Sequence, residues 1–121
     1  MTGLEISEHS EQGFKKLVSF ENWRVAILNH DMHHDPNCIR HLERHLLTDE
    51  VFVLLQGKAT LIIGEELTQY KMEPNKLYNV KKGIFHNVAM SDDAKILLVE
   101  NDGTGFENSE YMRLELKINL D

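Results

Sequence analysis

Glu43-Arg44-His45-Leu46-Leu47-Thr48-Asp49-Glu50-Val51-Phe52-Val53-Leu54-Leu55-Gln56-Gly57 is the stretch whose reading decides the fold. Its second half is simple. Residues 51–55 form an apolar run bounded by Glu50 and by Gln56-Gly57, the right length for a strand and far short of the roughly 20 residues that span a bilayer. The first half reads two ways. With the residues just upstream, Ile39, Leu42, Leu46 and Leu47 fit the three-and-four spacing of a helical stripe, and Asp35 or Asn37 would serve as a cap. On a helix, His41 and His45 share a face and Glu43 turns away. On a strand, Ile39, His41, Glu43 and His45 share one face, while Arg40, Leu42 and Arg44 take the other. Periodicity alone leans toward the helix.

Downstream the pattern is regular. Short apolar runs at 59–63, 67–72, 77–80, 84–90 and 94–100 are separated by turn residues such as Gly64-Glu65-Glu66, Glu73-Pro74-Asn75-Lys76, Lys81-Lys82-Gly83 and Ser91-Asp92-Asp93. With 51–56, that makes six strands in about fifty residues, which leaves no room for crossover helices, so the sheets are expected to be antiparallel. Residues 23–28 are a further strand candidate. The polar stretch 7–20 has room for one short helix. The tail, 110–121, alternates Leu114, Leu116, Ile118 and Leu120 with polar residues and is expected to be one more strand. No repeat or linker divides the 121 residues, so a single domain over 1–121 is expected.

The charge balance narrows the partners. Thirteen Lys+Arg against 20 Asp+Glu give a net charge of −7, and no basic block is present, which disfavours nucleic acid and anionic membranes. A small or cationic ligand is compatible with that balance. The N-terminus lacks the basic start and apolar stretch of a secretory signal, and the single Cys38 cannot form an intramolecular disulfide. A reducing, cytoplasmic setting follows as an expectation. Cys38 reads as a small buried or half-buried side chain rather than a nucleophile, because Pro36, Asn37 and Ile39 offer nothing to activate it.

Glu43-x-His45, four residues, Glu50, six residues and Gly57 resemble the first motif of the cupin superfamily, and Gly83-Ile84-Phe85-His86 resembles its second. In that family the first motif starts on a strand, continues with a glutamate on the next strand and closes with a glycine at a hairpin. The resemblance covers residues 23–100 and resolves residues 39–45 as a strand. It implies an all-β double-stranded β-helix, or jelly roll, of antiparallel strands, with a mononuclear metal site in the barrel formed by Glu43, His45, Glu50 and His86. Three positions depart from the family pattern. Glu43 stands where the family has the first histidine of the motif, Lys81 where it has a proline, and Met90 where it has an asparagine. The last two concern turn and strand geometry. Glu43 concerns the ligand set itself, though a carboxylate can still coordinate, and two imidazoles with two carboxylates suit a divalent Mn, Fe, Ni or Zn ion. His41, one step along the same face, would brace a ligand, touch the substrate, or replace Glu43 as ligand if the strand shifts.

Other clusters read more plainly. His30, Asp31, His33 and His34 look like an exposed loop without a ligand role, Phe52, Phe85 and Trp23 like core, and Lys81-Lys82 like a solvated turn. Trp23 or Tyr78 lining a pocket is the alternative for those two side chains. The polar cluster could also close the barrel without an ion, but burying two carboxylates unpaired costs several kcal/mol or raises a carboxyl pKa. Two functions follow: a small metal-dependent protein that acts on or binds a small polar molecule, or a non-catalytic ligand-binding or sensing cupin that needs no metal. Fold does not choose between them. Similar cupins pair edge strands as homodimers, and residues 23–28 and 114–120 are the segments expected at the edges.

Overall fold

The structure, a computed structural model, describes residues 3–121. Among these described residues ten strands follow one another: β1 (Gly13–Phe20), β2 (Trp23–Asn29), β3 (His41–His45), β4 (Glu50–Gln56), β5 (Ala59–Ile63), β6 (Thr68–Lys71), β7 (Tyr78–Val80), β8 (His86–Met90), β9 (Lys95–Asn101) and β10 (Ser109–Arg113). They form two five-stranded antiparallel sheets ordered β1-β2-β9-β4-β7 and β10-β3-β8-β5-β6. Among the described residues there is no α-helix, only single 3-10 turns at Met32–His34 and Phe106–Asn108, and none is long and apolar enough to cross a membrane. This is the expected all-β jelly roll.

Strand alternation builds two separate cores. Phe52 and Leu54 of β4, Leu61 of β5, Val88 and Met90 of β8, and Ile96 and Leu98 of β9 meet between the sheets. The intervening side chains of the second sheet point the other way. Leu42, Ile62 and Ala89 join Ile39 in an outer core, which Leu114 and Ile118 of the C-terminal segment cover. β5 and β8 are therefore buried on both faces, and their burial does not alternate along the strand. Ile39 packs in this outer core, not on the inward face with His41, Glu43 and His45, because strand geometry begins only at His41.

Several sequence expectations change here. Residues 7–20, where a short helix was allowed, hold β1, which pairs with β2 from Gly13 to Phe20; cross-strand pairing outweighs the weak local helical preference. The tail is a strand only over β10. Beyond Arg113 the chain leaves the ladder, its Leu114 N–H donating to Arg40 O at 2.8 Å, and crosses the outer face with Leu114 and Ile118 buried. Neither segment expected at a dimer edge is one, because β2 lies between β1 and β9 and the tail covers its own sheet. Trp23 is 42% exposed and packs against the Phe20 ring rather than in the core. Phe52 is core, and Phe85 packs partly buried on the outer core.

The two motif glycines differ in what holds them. Gly57 turns the chain from β4 into β5 at φ 76°, and a Cβ there would lie 2.7 Å from Ala94 Cα. Gly83 also has positive φ, 81°, but an added Cβ would meet nothing within 4 Å. Its N–H donates to His45 O at 2.8 Å, tying the second motif to the first.

Candidate metal centre

Three strands bring the site together. His45 comes from the end of β3, Glu50 from the start of β4 and His86 from the start of β8; all three are buried. Glu43 pairs with His86 across β3 and β8 and remains partly exposed. That pair is the only rung between these strands, whereas β8 and β5 share five. Asn87 compensates by donating its side-chain N–H to His41 O at 2.8 Å.

The hydrogen bonds fix how both imidazoles present themselves. His86 Nδ1 lies 2.9 Å from Ile84 O, which can only accept, so Nδ1 carries the proton. His45 Nδ1 lies 2.9 Å from Ser109 Oγ, and that hydroxyl donates to Gly105 O at 2.8 Å. Ser109 therefore accepts from His45 Nδ1–H. Both Nε2 atoms are left facing one carboxylate oxygen, Glu50 Oε1, at 2.9 Å from His86 and 3.2 Å from His45. Glu43 Oε1 lies 3.7 Å from His45 Nε2. Neutral Nε2 lone pairs and a carboxylate oxygen repel, so this convergence calls for a proton or a cation among them.

The donor set fits a cation. Bonds of about 2.0–2.2 Å separate neighbouring ligands by about 2.8–3.6 Å in octahedral or tetrahedral geometry, and the three separations fall on or next to that range. Histidine ligands ordinarily hold the other ring N–H on a carbonyl or similar acceptor, as His86 does on Ile84. One donor atom from each of Glu43, His45 and His86, and likewise of His45, Glu50 and Glu100, lies within 4.8 Å of the others in its group. His45, Glu50 and His86 thus meet around Glu50 Oε1, with Glu43 beside the two histidines. His41 is not among them: its ring packs edge-on against Tyr111 at 5.5 Å.

Protonation follows the same contacts. Burial alone would lower the His45 and His86 pKa values, but the Glu50 carboxylate outweighs it and holds both above the usual imidazole value. Glu50 is pulled the other way: burial resists its ionisation, yet the two histidines keep its carboxyl well below the ordinary range. Glu100, at the end of β9, is pushed up to about 7 by burial and by the neighbouring Glu50 charge, with Arg24 opposing.

Glu100 is the main residue that sequence reading missed. The signal lay in the alternation Ile96-Leu98-Glu100, which puts an acid at the inward end of an apolar strand face. Glu100, Arg24, Thr104, Tyr111 and His34 line, with the metal candidates, one cavity of about 260 Å³. His34 therefore reaches the site from the loop that read as exposed, held by Asp31 at 2.6 Å, whereas His33 is exposed and His30 binds Asp35 at 2.9 Å.

No family model matches the sequence, and no curated protein matches it. Solved structures do. A cupin-2 domain protein from Shewanella frigidimarina superimposes with a TM-score of 0.60 at 14% identity, over 78% of this chain and 84% of that one. A single-residue variant of Streptomyces PAC13 with uridine gives 0.68 at 8% identity over 97% and 96%, and Pac13 is described as a nucleoside dehydratase. KdgF from Halomonas gives 0.55 at 12% identity over 73% and 76%. At these identities the likeness establishes the fold: the chain is a small single-barrel protein with the cupin fold.

Proposed function

We propose that the protein holds a divalent cation at His45, His86, Glu50 and Glu43 and binds or transforms a small polar molecule in the adjoining cavity. The observation that carries this reading is the convergence of two Nε2 atoms on Glu50 Oε1 while both Nδ1 protons are held elsewhere. Mn²⁺, Fe²⁺, Ni²⁺ or Zn²⁺ fits the mixed nitrogen and oxygen donors, and such an ion supplies Lewis acidity toward an oxygen of the bound molecule. The chain's own groups do the rest. Glu50 offsets the charge in a buried setting, Ser109 and Ile84 O hold the imidazoles in their tautomers, and Glu100, pushed up to about 7, can take up or release a proton near neutral pH. The likeness to a structure carrying uridine supports a ligand of modest size.

The second reading is a cupin that binds or senses its ligand without a metal. It is favoured by the Glu50 carboxylate being able to satisfy a protonated imidazole on its own. Metal analysis of protein purified without a histidine tag, followed by titration with each of the four ions, separates the two. The first reading requires one ion per chain, lost in His45→Ala and in His86→Ala. Full retention in the double variant, or no binding by the wild type, refutes it.

A further inference from the structure

Among the described residues, three buried side-chain atoms find no partner by hydrogen-bond geometry within the protein: Arg24 Nε, Thr104 Oγ1 and Glu100 Oε1, whose carboxyl also interacts with the neighbouring Glu50. All three residues line the 260 Å³ cavity beside the histidine cluster. An unpaired buried polar atom costs about 1–3 kcal/mol, so three around one space mark a place built to be filled. We propose that Arg24, Glu100 and Thr104 form a subsite for a neutral polyhydroxylated ring, a sugar or a sugar-bearing molecule, deepening the cavity reading proposed above and resting on it.

The chemistry of the three atoms selects the class. Arg24 and Glu100 are cross-strand partners on β2 and β9, with Nη2 3.4 Å from Oε2. Nη1 reaches Asp102 O at 3.5 Å, and the buried Nε–H is a donor still to be used. Glu100 accepts when ionised and can donate when protonated, and the Thr104 hydroxyl does either. Adjacent hydroxyls, each both donor and acceptor, match such a set, whereas an apolar ligand would leave all three unpaired.

Charge narrows the alternatives in the ion-free protein. Glu43 and Glu50 line the cavity and repel a small anion, while Arg24 disfavours a cationic ligand beside it. The rim adds a flat apolar surface, Phe106 stacked on Tyr111 at 5.6 Å and 29°, with 80% and 44% exposure. At roughly 30 Å³ per water in the liquid, the cavity has room for about nine waters, or for one sugar ring in their place.

The test titrates the full chain, without a tag, with D-ribose, D-glucose and uridine as neutral polyols and with phosphate and acetate as small anions, followed by calorimetry and amide NMR. At least one polyol should saturate the wild type. Thr104→Val should weaken it by about tenfold, the loss expected for one hydrogen bond with its partner left unpaired. Glu100→Gln should also weaken it, and Thr104→Ser should restore wild-type binding. No saturation by any polyol, equal binding by wild type and Thr104→Val, or preference for phosphate or acetate overturns the proposal. Ion content measured on the same samples keeps the two readings apart. Polyol binding that responds to Thr104→Val in protein holding no ion sinks the cation reading and leaves the subsite standing. A stoichiometric ion with flat polyol titrations does the reverse.

Discussion

Replacing Glu100 by Gln should change stability by an amount that depends steeply on pH. In the unfolded chain this carboxyl titrates near 4.5, and in the fold it is raised to about 7. The folded state therefore keeps its proton where the unfolded state has lost it, and native stability falls as pH rises from about 4.5, with the loss complete above about 7. At about 1.36 kcal/mol per unit, the shift amounts to about 3 kcal/mol. Glutamine has no such titration. It cannot pair ionically with Arg24 either, but that attraction acts only while Glu100 is ionised and is already contained in the net shift. Urea unfolding of ion-free wild type and Glu100→Gln at pH 4, 6 and 9 measures the difference. The variant should gain about 3 kcal/mol relative to wild type between the lowest and the highest pH. A difference unchanged across that range would mean that Glu100 titrates normally, and that neither burial nor the Glu50 charge acts on it as described.

Glu43→Gln should weaken ion binding while leaving the melting temperature of the ion-free protein near wild type, and His41→Ala should leave ion stoichiometry intact; the opposite pattern, read by metal analysis, would put His41 in the ligand set. Gly57→Ala should destabilise much more than Gly83→Ala: both incur about 1 kcal/mol for positive φ, but only Gly57 adds a collision with the Ala94 backbone, a contrast thermal denaturation resolves. Leu42→Ala, at a side chain with 0% exposure, should cost about 2–5 kcal/mol, measured by chemical denaturation.

How far the sequence carried this picture differs between segments for physical reasons. The strands from β4 to β9 were legible because each apolar run ends at residues that turn the chain. Around β3 the helical stripe was a coincidence: Ile39 and Leu42 are buried in the outer core, whereas Leu46 and Leu47 are loop residues with 41% and 66% exposure. The motif spacing, not the periodicity, resolved that strand. The tail's alternation describes a real burial pattern at Leu114 and Ile118, but alternation says nothing about whether a ladder partner exists, and β10 already closes the sheet there. His45, Glu50 and His86 were legible through the motifs. Arg24, Glu100 and Thr104 were not, since their meaning lies in hydrogen bonds left unmade, which only three-dimensional packing reveals.

The strand order β1-β2-β9-β4-β7 and β10-β3-β8-β5-β6 also bears on the kinetics of the chain. Apart from the β1–β2 and β5–β6 hairpins, the rungs join strands that are not consecutive in the chain, so loop closure comes before most of the reward and folding should be slow for this length. His45, Glu50 and His86 meet only when β3, β4 and β8 are all in place, and an incomplete barrel offers an ion no more than isolated ligands. An ion bound there would act on the native state alone. It would lengthen the lifetime of the folded protein by slowing unfolding and leave the rate of folding almost untouched.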